Sequence, residues 1–236
     1  MLSIIIPARN EEKIIGKLLN SIKNQNFDCE VIVGNDSSTD STAKIAKKYA
    51  KVVTGKWSHP GSARNACAKL AKGNYLLFLD ADVVLPKNFL NQNFKEFTDR
   101  KLVSATTYVS PLSNKLIDRF IHGLGYNFFY FLLQKISPIA CGFCIFCRKD
   151  IFMKVDGFDR SITLGEDHDL VRKSAKYGRF GILHGPKINV SVRRLETEGR
   201  LNYLLKMIKA ALFMTFRGPI RGEIEYTFDH KSKKVP

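Results

Sequence analysis

The 236-residue sequence contains no low-complexity segment, no secretion signal at its start and no apolar run long enough to cross a bilayer. Residues 2–6 form a strand-like run directly after Met1, without the basic and longer apolar stretches of a signal peptide. The uncharged run at residues 120–134 is fifteen residues long, short of the about 20 that a spanning helix needs. These absences predict a cytoplasmic protein of one domain, or of one domain with an appendage.

Cysteine is scarce, and in a cytoplasmic chain its thiols are expected to stay reduced. Three of the five cysteines, Cys141, Cys144 and Cys147, have a Cys-x-x-Cys-x-x-Cys spacing that is compatible with a metal or iron–sulfur site. The residues between them are Gly, Phe, Ile and Phe, and no fourth ligand is evident nearby. Because a structural zinc site usually needs four ligands, buried thiols are the favoured interpretation.

Acidic residues are too few to balance the basic ones. The chain has 38 Lys and Arg against 22 Asp and Glu, which gives a formal net charge of +16. The excess is distributed along the whole sequence rather than collected in a tail. A basic surface of this kind favours partners that carry phosphates, such as nucleotides, nucleic acid or an anionic membrane.

Short apolar runs alternate with amphipathic runs along the first half of the chain, and this alternation is typical of a parallel sheet between helical layers. The predicted fold class is therefore α/β, a three-layer sandwich with a mostly parallel central sheet. Strands are predicted at residues 3–6, 31–33, 52–54, 75–79, 102–109, 143–147, 180–183 and 187–194. Helices are predicted at residues 14–22 (with Asn10 as N-cap), 42–50, 61–72, 86–98, 148–155 and 166–177.

The sequence is organised around the buried strand at residues 75–79, which ends in two carboxylates, Asp80 and Asp82. In an open α/β sheet, ligands bind beyond the carboxyl ends of the strands, so both side chains lie where a site is expected. Carboxylate oxygens with this spacing suit Mg²⁺ or Mn²⁺, especially when substrate phosphates complete the coordination. A solvated Asp-x-Asp loop is the competing interpretation.

Three further polar positions follow the same logic, and each has an ordinary structural alternative. Asp36 ends the second strand and could bind a base or a ribose, or simply form an Asx turn. Arg64 lies in the first turn of a helix, where a guanidinium suits a diphosphate, although it could be a surface charge. Glu166 and Asp167 begin another helix, where a carboxylate could act as a general base or merely favour the helix N-terminus.

Two helical segments lie outside this sheet pattern. Residues 112–134 include the uncharged, aromatic-rich run with Lys115, Arg119 and Lys135 at its flanks, and residues 199–216 form a basic amphipathic helix that ends in a frayed terminus at 231–235. Both patterns are compatible with helices that lie in the interface of an anionic membrane, and equally with helices packed on the domain. Membrane contact at these segments is therefore an open expectation.

The order of the motifs resembles glycosyltransferase family 2, inverting enzymes with the GT-A fold. The resemblance covers residues 1 to about 185, with a weaker similarity at 191–226 to the membrane-proximal end of some members. It rests on the following stretches, in this order: Ser3-Ile4-Ile5-Ile6-Pro7-Ala8-Arg9-Asn10-Glu11-Glu12, Asn35-Asp36-Ser37-Ser38-Thr39-Asp40, Gly61-Ser62-Ala63-Arg64-Asn65, Leu79-Asp80-Ala81-Asp82, Gly157-Phe158-Asp159 and Gly165-Glu166-Asp167-His168-Asp169-Leu170.

The resemblance implies a role for each matching position. A nucleoside-diphosphate sugar, most commonly a UDP-sugar, would be the donor, and its transfer would be assisted by Mn²⁺ or Mg²⁺. The donor-binding residues would be Pro7, Ala8, Arg9, Glu11, Asp36, Arg64, Asp80 and Ala81. The metal ligands would be Asp80 and Asp82, with Asp82 the more direct one, and the catalytic residues Asp167, as base, and its companion Glu166. The region around Gly142 resembles the acceptor-side loop.

Some positions depart from the family pattern. Two acidic residues are common where this chain has Asn35 and Asp36, so base recognition would rest on Asp36. An aromatic residue is common at the position of Arg9, whose planar guanidinium could still stack on a base. His184 is a further candidate metal ligand, by similarity to a late His in some GT-A enzymes, and its alternative is an ordinary exposed His after a strand.

The resulting hypothesis is transfer of a sugar from a nucleoside-diphosphate donor to an acceptor hydroxyl, on a lipid-linked or membrane-proximal acceptor, by a protein peripheral to the inner face of the membrane. Residues 1–195 would form the catalytic domain, with a donor half (1–110) and an acceptor half (111–195), followed by the tail 196–236. Nucleic acid is not expected as a partner. The alternatives are a non-catalytic basic module for nucleic acid or anionic lipid, and a nucleotidyltransferase, which usually has a Gly-rich loop after its first strand.

Overall fold

The computed structural model describes residues 1–134 and 137–221, so the predicted frayed end at 231–235 lies outside the described residues. An eight-stranded sheet in the order β3-β2-β1-β4-β7-β6-β9-β5 dominates the fold. Its strands are β1 (Leu2–Ala8), β2 (Cys29–Asp36), β3 (Lys51–Gly55), β4 (Tyr75–Phe78), β5 (Val83–Val84), β6 (Ser104–Pro111), β7 (Ile145–Arg148) and β9 (Phe180–Val190). Two short strands, β8 (Ile162–Leu164) and β10 (Ile220–Arg221), pair separately.

The helices complete an α/β fold, as predicted. They are α1 (Ile15–Lys23), α2 (Thr42–Ala46), α3 (Pro60–Leu70), α4 (Phe89–Asp99), α5 (Leu116–Phe120), α6 (Phe129–Leu133), α7 (Lys149–Lys154), α8 (Glu166–Ala175), α9 (Arg193–Thr197) and α10 (Arg200–Arg217). A π-helix, Ile121–Phe128, joins α5 to α6. No helix in the described part of the chain is both long and apolar enough to cross a membrane.

Both faces of the central strand β1 are buried, which explains its continuous apolar sequence. Ile4 and Ile6 belong to one hydrophobic cluster with the α1 residues Ile15 and Leu18. Ile5 points to the opposite face and belongs to a second cluster, with Cys67 and Ala68 of α3 among its members. Helices therefore cover both faces of the sheet, which gives the three layers that the sequence predicts.

The sheet is mostly parallel, with antiparallel strands toward one end. β1 pairs in parallel with β2 and β4, and β2 with β3, while β7 runs antiparallel to β4 and β6. Since β1, β2 and β4 share one direction, the loops that follow Ala8, Asp36 and Phe78 meet at one edge of the sheet. This edge carries the candidate site.

Two local predictions were wrong in detail. Asn10 does not cap α1, because it adopts a left-handed backbone (φ 55°) and its side-chain oxygen accepts a hydrogen bond from the Thr39 backbone N–H at 2.9 Å. The strands predicted at 180–183 and 187–194 are one strand, β9. The register against β6 shifts between Thr107 and Val109, and this irregularity absorbs the break that the sequence suggests.

Candidate active site

A cavity of about 490 Å³ lies at the carboxyl edge of β1, β2 and β4, beside the start of α8. Its lining includes every residue predicted from sequence for the site except His184. The predicted residues in the lining are Pro7, Ala8, Arg9, Glu11, Asp36, Arg64, Asp80, Ala81, Asp82, Glu166 and Asp167. Loops from distant parts of the sequence therefore meet at one concave surface.

Arg64 forms the electrostatic centre of the cavity. α3 carries it under the sheet edge, where its side chain is buried. One guanidinium nitrogen donates to Asp80 Oδ1 at 2.6 Å, and another donates to Glu166 Oε1 at 3.1 Å. The guanidinium also lies 5.2 Å from the centre of the Phe158 ring. Arg64 is thus held rigidly between the two carboxylates, and the surface-charge alternative does not apply.

Gly142 packs directly against this centre. A Cβ atom built on Gly142 would lie 2.7 Å from Arg64 Nη2 and 3.4 Å from Asp80 Oδ1. The backbone of the loop before β7 therefore approaches the ion pair so closely that only a glycine fits at this position. The loop that contains Gly142 is therefore in close contact with Arg64 and Asp80.

Asp80 and Asp82 differ in their surroundings. Asp80 is engaged by Arg64, whereas Asp82 lies 3.5 Å from a guanidinium nitrogen of Arg193. Burial, together with the nearby Asp80 charge, raises the pKa of Asp82 to about 6. No group of three or more His, Cys, Asp or Glu side chains arranged for a metal occurs in the described ranges. The two carboxylates fit a divalent cation only if a ligand such as a diphosphate supplies the other oxygens.

Arg193 is a site residue that the sequence reasoning missed. Its two terminal nitrogens each donate to a Glu11 carboxylate oxygen at 3.0 Å. Pairing of β5 with β9 delivers Arg193 to this position, because Val83 lies opposite Val190 and the Ser191 backbone N–H donates to the Asp82 carbonyl. The contact joins residues 182 positions apart, so no local sequence pattern signals it.

Asp167 and Glu166 stand at the first turn of α8, after Gly165 in a left-handed conformation (φ 93°). Burial raises the pKa of Asp167 to about 6, with Asp80 adding to the effect while hydrogen bonds from the backbone of His168 and Gly142 oppose it. Burial, followed by the Asp167 charge, also raises the pKa of Glu166, against the attraction of Arg64. Asp167 therefore carries a proton at a higher pH than an exposed aspartate would.

The Asp36 carboxylate lines the cavity and holds the loop that precedes α3. It accepts hydrogen bonds from the backbone N–H groups of Trp57 at 2.7 Å and Ser58 at 3.2 Å. Arg9 lies 3.9 Å from it. These hydrogen bonds do not form the Asx turn that was the structural alternative for Asp36; they fix a loop that lies 21 positions further along the chain.

His184 is not brought to the cavity. Its ring nitrogen Nδ1 lies 3.1 Å from Glu96 of α4, and its side chain is two-thirds exposed (67 %). The side chain does not line the cavity, so His184 and the Asp80–Asp82 pair are separate in this structure. The exposed-histidine alternative describes what is observed.

The π-helix and α10 also contribute to the wall of the cavity. His122 and Tyr126 of the π-helix and Tyr203 and Met207 of α10 line the cavity. The hydroxyl groups of Tyr126 and Tyr203 are hydrogen-bonded at 2.5 Å, which joins the two elements. The sequence predicted both helices but gave no indication that they enclose the site.

The five cysteines are free thiols in the structure, and Cys144 and Cys147 are buried. Burial raises the pKa of each of these two thiols to about 12. Both thiols therefore stay protonated, which agrees with the buried-thiol interpretation for these two cysteines, while Cys141 is half-buried.

Comparison with known families places this sheet edge, with its carboxylates and its buried arginine, in a known context. The model of the family described as "Glycosyl transferase family 2" matches residues 3–156. The chain belongs to glycosyl transferase family 2. The match covers the loops with Pro7, Asp36, Arg64 and Asp80, while Asp167 and Arg193 lie beyond it.

Among similar proteins of the family, the chondroitin synthase of Pasteurella multocida is 28% identical over 223 residues, 87% of this chain and 23% of the relative. The 4,4'-diaponeurosporenoate glycosyltransferase of Staphylococcus aureus is 47% identical over 89 residues, 35% of this chain and 24% of the relative. The chain thus spans about a quarter of the length of these curated relatives.

Solved structures share the fold. The crystal structure of S. aureus TarS 1-349 in complex with UDP-GlcNAc superposes with a TM-score of 0.64 at 23% identity, covering 80% of this chain and 58% of that one. The mannosyltransferase PcManGT from Pyrobaculum calidifontis, in complex with GDP-Man and Mn²⁺, gives a TM-score of 0.65 at 19% identity, covering 88% and 64%. These similarities establish the GT-A architecture of the chain.

Proposed function

We propose that this protein is an inverting glycosyltransferase that moves a sugar from a nucleoside-diphosphate donor to an acceptor hydroxyl. The observation that carries the proposal is the shared cavity: Asp167, with its raised pKa, faces the same space as Asp82 and the Arg64–Asp80 ion pair. One end of such a cavity suits a diphosphate leaving group, and the other suits a hydroxyl nucleophile.

The donor would lie along the loops at the carboxyl edge of the sheet. We assign the nucleoside to Pro7, Ala8, Arg9 and Glu11, with Asp36 at the base and Ala81 beside the diphosphate. Arg64 would contribute its buried positive charge. We favour a UDP-sugar as the donor. A structural neighbour, TarS, was crystallised with UDP-GlcNAc.

Asp80 and Asp82 would hold Mn²⁺ or Mg²⁺ together with the diphosphate oxygens, and Asp82 would be the more direct ligand because Arg64 already engages Asp80. A divalent cation bound there supplies Lewis-acid stabilisation of the charge that develops on the leaving group. Arg64 supplies the same kind of stabilisation from the protein itself. His184 has no part in this assignment.

Asp167 would act as the general base. Its carboxylate removes the proton from the acceptor hydroxyl as the hydroxyl oxygen attacks the anomeric carbon from the face opposite the diphosphate. The bond to the diphosphate oxygen breaks in the same step, so the anomeric configuration inverts. Glu166 does not touch the reacting atoms in this scheme; it fixes Arg64 through their 3.1 Å hydrogen bond.

We further propose a lipid-linked or membrane-proximal acceptor, because Tyr126, Tyr203 and Met207, which line the cavity, belong to the two helical segments that also carry exposed apolar side chains. Residues 1–195 would then form the catalytic domain, with 1–110 as the donor half and 111–195 as the acceptor half. The segment 196–236 would act at the membrane rather than as an independent unit. The protein would work on the cytoplasmic face.

The decisive test separates donor binding from transfer. Asp167→Asn keeps the shape of the side chain but removes the base, so we expect nucleotide binding to persist and transfer to fall by about 10²–10⁴-fold. Thermal shift reports binding, and release of the nucleoside diphosphate reports transfer. Full transfer activity in Asp167→Asn would exclude the assignment.

A second variant tests the metal assignment. Asp82→Ala should abolish the part of nucleotide binding that depends on Mn²⁺ or Mg²⁺, measured by calorimetric titration with and without EDTA. Metal-dependent binding that survives in Asp82→Ala would mean that the cation is held elsewhere.

If the protein shifts DNA in a salt-sensitive manner and binds no nucleotide sugar, it is instead a basic binding module.

A further inference from the structure

The exposed apolar side chains of this protein are concentrated in two packed segments. Of the sixteen large hydrophobic side chains that are exposed in the described ranges, seven lie in residues 112–132 and four in residues 201–213. Leu116, Phe120 and Leu201 are exposed by 79%, 61% and 69%. A soluble surface normally scatters such groups singly, so their concentration indicates an interaction surface.

The two segments are fixed to each other. Arg200 of α10 donates to both carboxylate oxygens of Asp118 in α5, at 2.7 and 3.1 Å, and Asp118 is fully buried. The Tyr126–Tyr203 hydrogen bond makes a second connection. In α10, Tyr203 and Leu204 pack on Ile121 of the π-helix. The outer sides of the two segments therefore lie next to each other and form one continuous surface.

The amphipathicity of α10 differs from the simple pattern in its sequence. Leu204 packs inward with Tyr203, while Leu201, Leu205 and Ile208 face outward. Arg200, at the start of the helix, forms an ion pair with Asp118. The helix thus has one side on the protein and a separate apolar side directed away from it.

The exposed charges of these two segments are basic, and one acidic residue from outside them, Glu196 of α9, lies 3.9 Å from Lys115. α10 contains no Asp or Glu, and the single acidic residue in 112–134 is the buried Asp118. Lys115, Arg119 and Lys209 are exposed beside the apolar groups. Apolar side chains with a basic border fit the interface of an anionic bilayer, where the apolar groups enter the acyl boundary and the cations meet the headgroups.

We propose that the outer surface of α5, the π-helix, α6 and α10 docks this protein on an anionic lipid bilayer. The inference deepens the proposed function, and its link to a lipid acceptor rests on that function. Tyr203 and Met207, on the opposite side of α10, line the cavity. Docking would therefore place the acceptor side of the cavity about one helix diameter, roughly 10 Å, from the membrane surface.

The test uses sedimentation of the full chain with phosphatidylcholine vesicles, with and without phosphatidylglycerol. We expect binding to the anionic vesicles. Leu116→Ser combined with Leu201→Ser should weaken the partition by about tenfold or more, since two inserted side chains are lost. Leu70→Ser combined with Met153→Ser, which changes two residues of 47% exposure on α3 and α7, is the matched control and should bind as the wild type does.

A double variant that removes two lysine charges tests the basic border of the surface. Lys115→Gln with Lys209→Gln should lower binding to anionic vesicles by about tenfold and leave binding to neutral vesicles unchanged. The control is Lys69→Gln with Lys101→Gln, two exposed lysines elsewhere on the molecule. Binding that all variants share equally would overturn the proposal.

Vesicle binding needs no donor, so its failure is distinguishable from failure of the proposed function. Nucleotide binding by thermal shift is measured on the same variants and should not change. No sedimentation with anionic vesicles would exclude the docking surface while leaving the catalytic assignment intact. Concentration-dependent dimerisation that Leu116→Ser with Leu201→Ser abolishes would show that a second copy, rather than a membrane, covers this surface.

Discussion

Asp167 is a carboxylate whose burial favours the protonated form, and this decides how a reaction that uses it depends on pH. A general base works only when deprotonated. With a pKa of about 6 in the free protein, the active fraction should grow as the pH rises through 6 and level off above 7.

We therefore expect kcat, measured at saturating donor and metal, to fall about tenfold for each pH unit below the pKa of Asp167 in the bound complex, while kcat/KM follows the pKa of about 6 in the free protein. Donor binding must be followed at each pH, because protonation of Asp82, whose pKa is also about 6, would weaken metal binding and act on KM. A kcat that stays constant from pH 5 to 8 would contradict the role of Asp167.

Gly142 supplies a steric test of the Arg64 centre. A methyl group at this position would come within 2.7 Å of Arg64 Nη2, so Gly142→Ala should displace the guanidinium. We expect a stability loss of about 1–3 kcal/mol and weaker nucleotide binding in the same variant.

Gly123→Ala is the matched control for Gly142→Ala, because a Cβ there meets no atom within 4 Å. Thermal unfolding and nucleotide titration of both variants give the comparison. Equal behaviour of the two would mean that Arg64 adapts without cost.

Among single residues, the sequence identified those site residues that directly follow a strand or begin a helix. Asp80, Asp36, Arg64 and Asp167 lie at such points, and parallel strand ends converge by geometry. Arg193 could not be predicted in the same way, because its partner Glu11 is brought to it only by the pairing of β5 with β9. β5 has two residues, too few for a periodic signal.

Among the elements, α10 depends on α5 for its position. The buried Asp118 carboxylate accepts hydrogen bonds from Arg200 and from the Ser113 hydroxyl, and these contacts hold its pKa below the usual range. A depressed pKa of this kind stabilises the fold above the pKa of the unfolded aspartate, and the contribution is lost as the pH falls through the lower folded value.

Asp118→Asn should reduce the free energy of unfolding by about 2–3 kcal/mol, since it removes a buried charge partner of Arg200. For a chain of this size, that loss corresponds to a melting temperature lower by about 4–12 °C. Asp150→Asn is the control, because its pair with Arg148 is exposed and contributes less than about 1 kcal/mol. If both variants have the same melting temperature, the Asp118–Arg200 contact does not stabilise the position of α10.

The course of strand β9 explains why the sequence alone could not decide between the two interpretations of His184. His184 was a candidate ligand by similarity to a late His in some GT-A enzymes, and the sequence placed it just after a strand predicted to end at residue 183. The structure continues β9 through this position, and Glu96 of α4 accepts hydrogen bonds from the backbone N–H of His184 and of Gly185. A residue within a long strand is aimed by sheet register, which the local sequence does not specify.

For the whole molecule, ligand linkage offers a direct measurement. A nucleoside diphosphate that binds only the folded state should stabilise it by about 2.7 kcal/mol at a concentration of 100 times Kd. In a 236-residue chain this raises the melting temperature by about 5–10 °C. We expect the shift with Mn²⁺ or Mg²⁺ and its loss in EDTA; an equal shift in EDTA would contradict a metal-assisted site.

The Arg193–Glu11 contact has a consequence for synthesis of the protein. A growing chain exposes the carboxylates of Glu11, Asp80 and Asp82 long before Arg193 leaves the ribosome, because 182 positions separate Glu11 from Arg193. Until then, the nascent sheet lacks the cation that offsets the repulsion between Glu11 and Asp82. The edge of the sheet that lines the cavity can therefore reach its final form only after Arg193 has been translated.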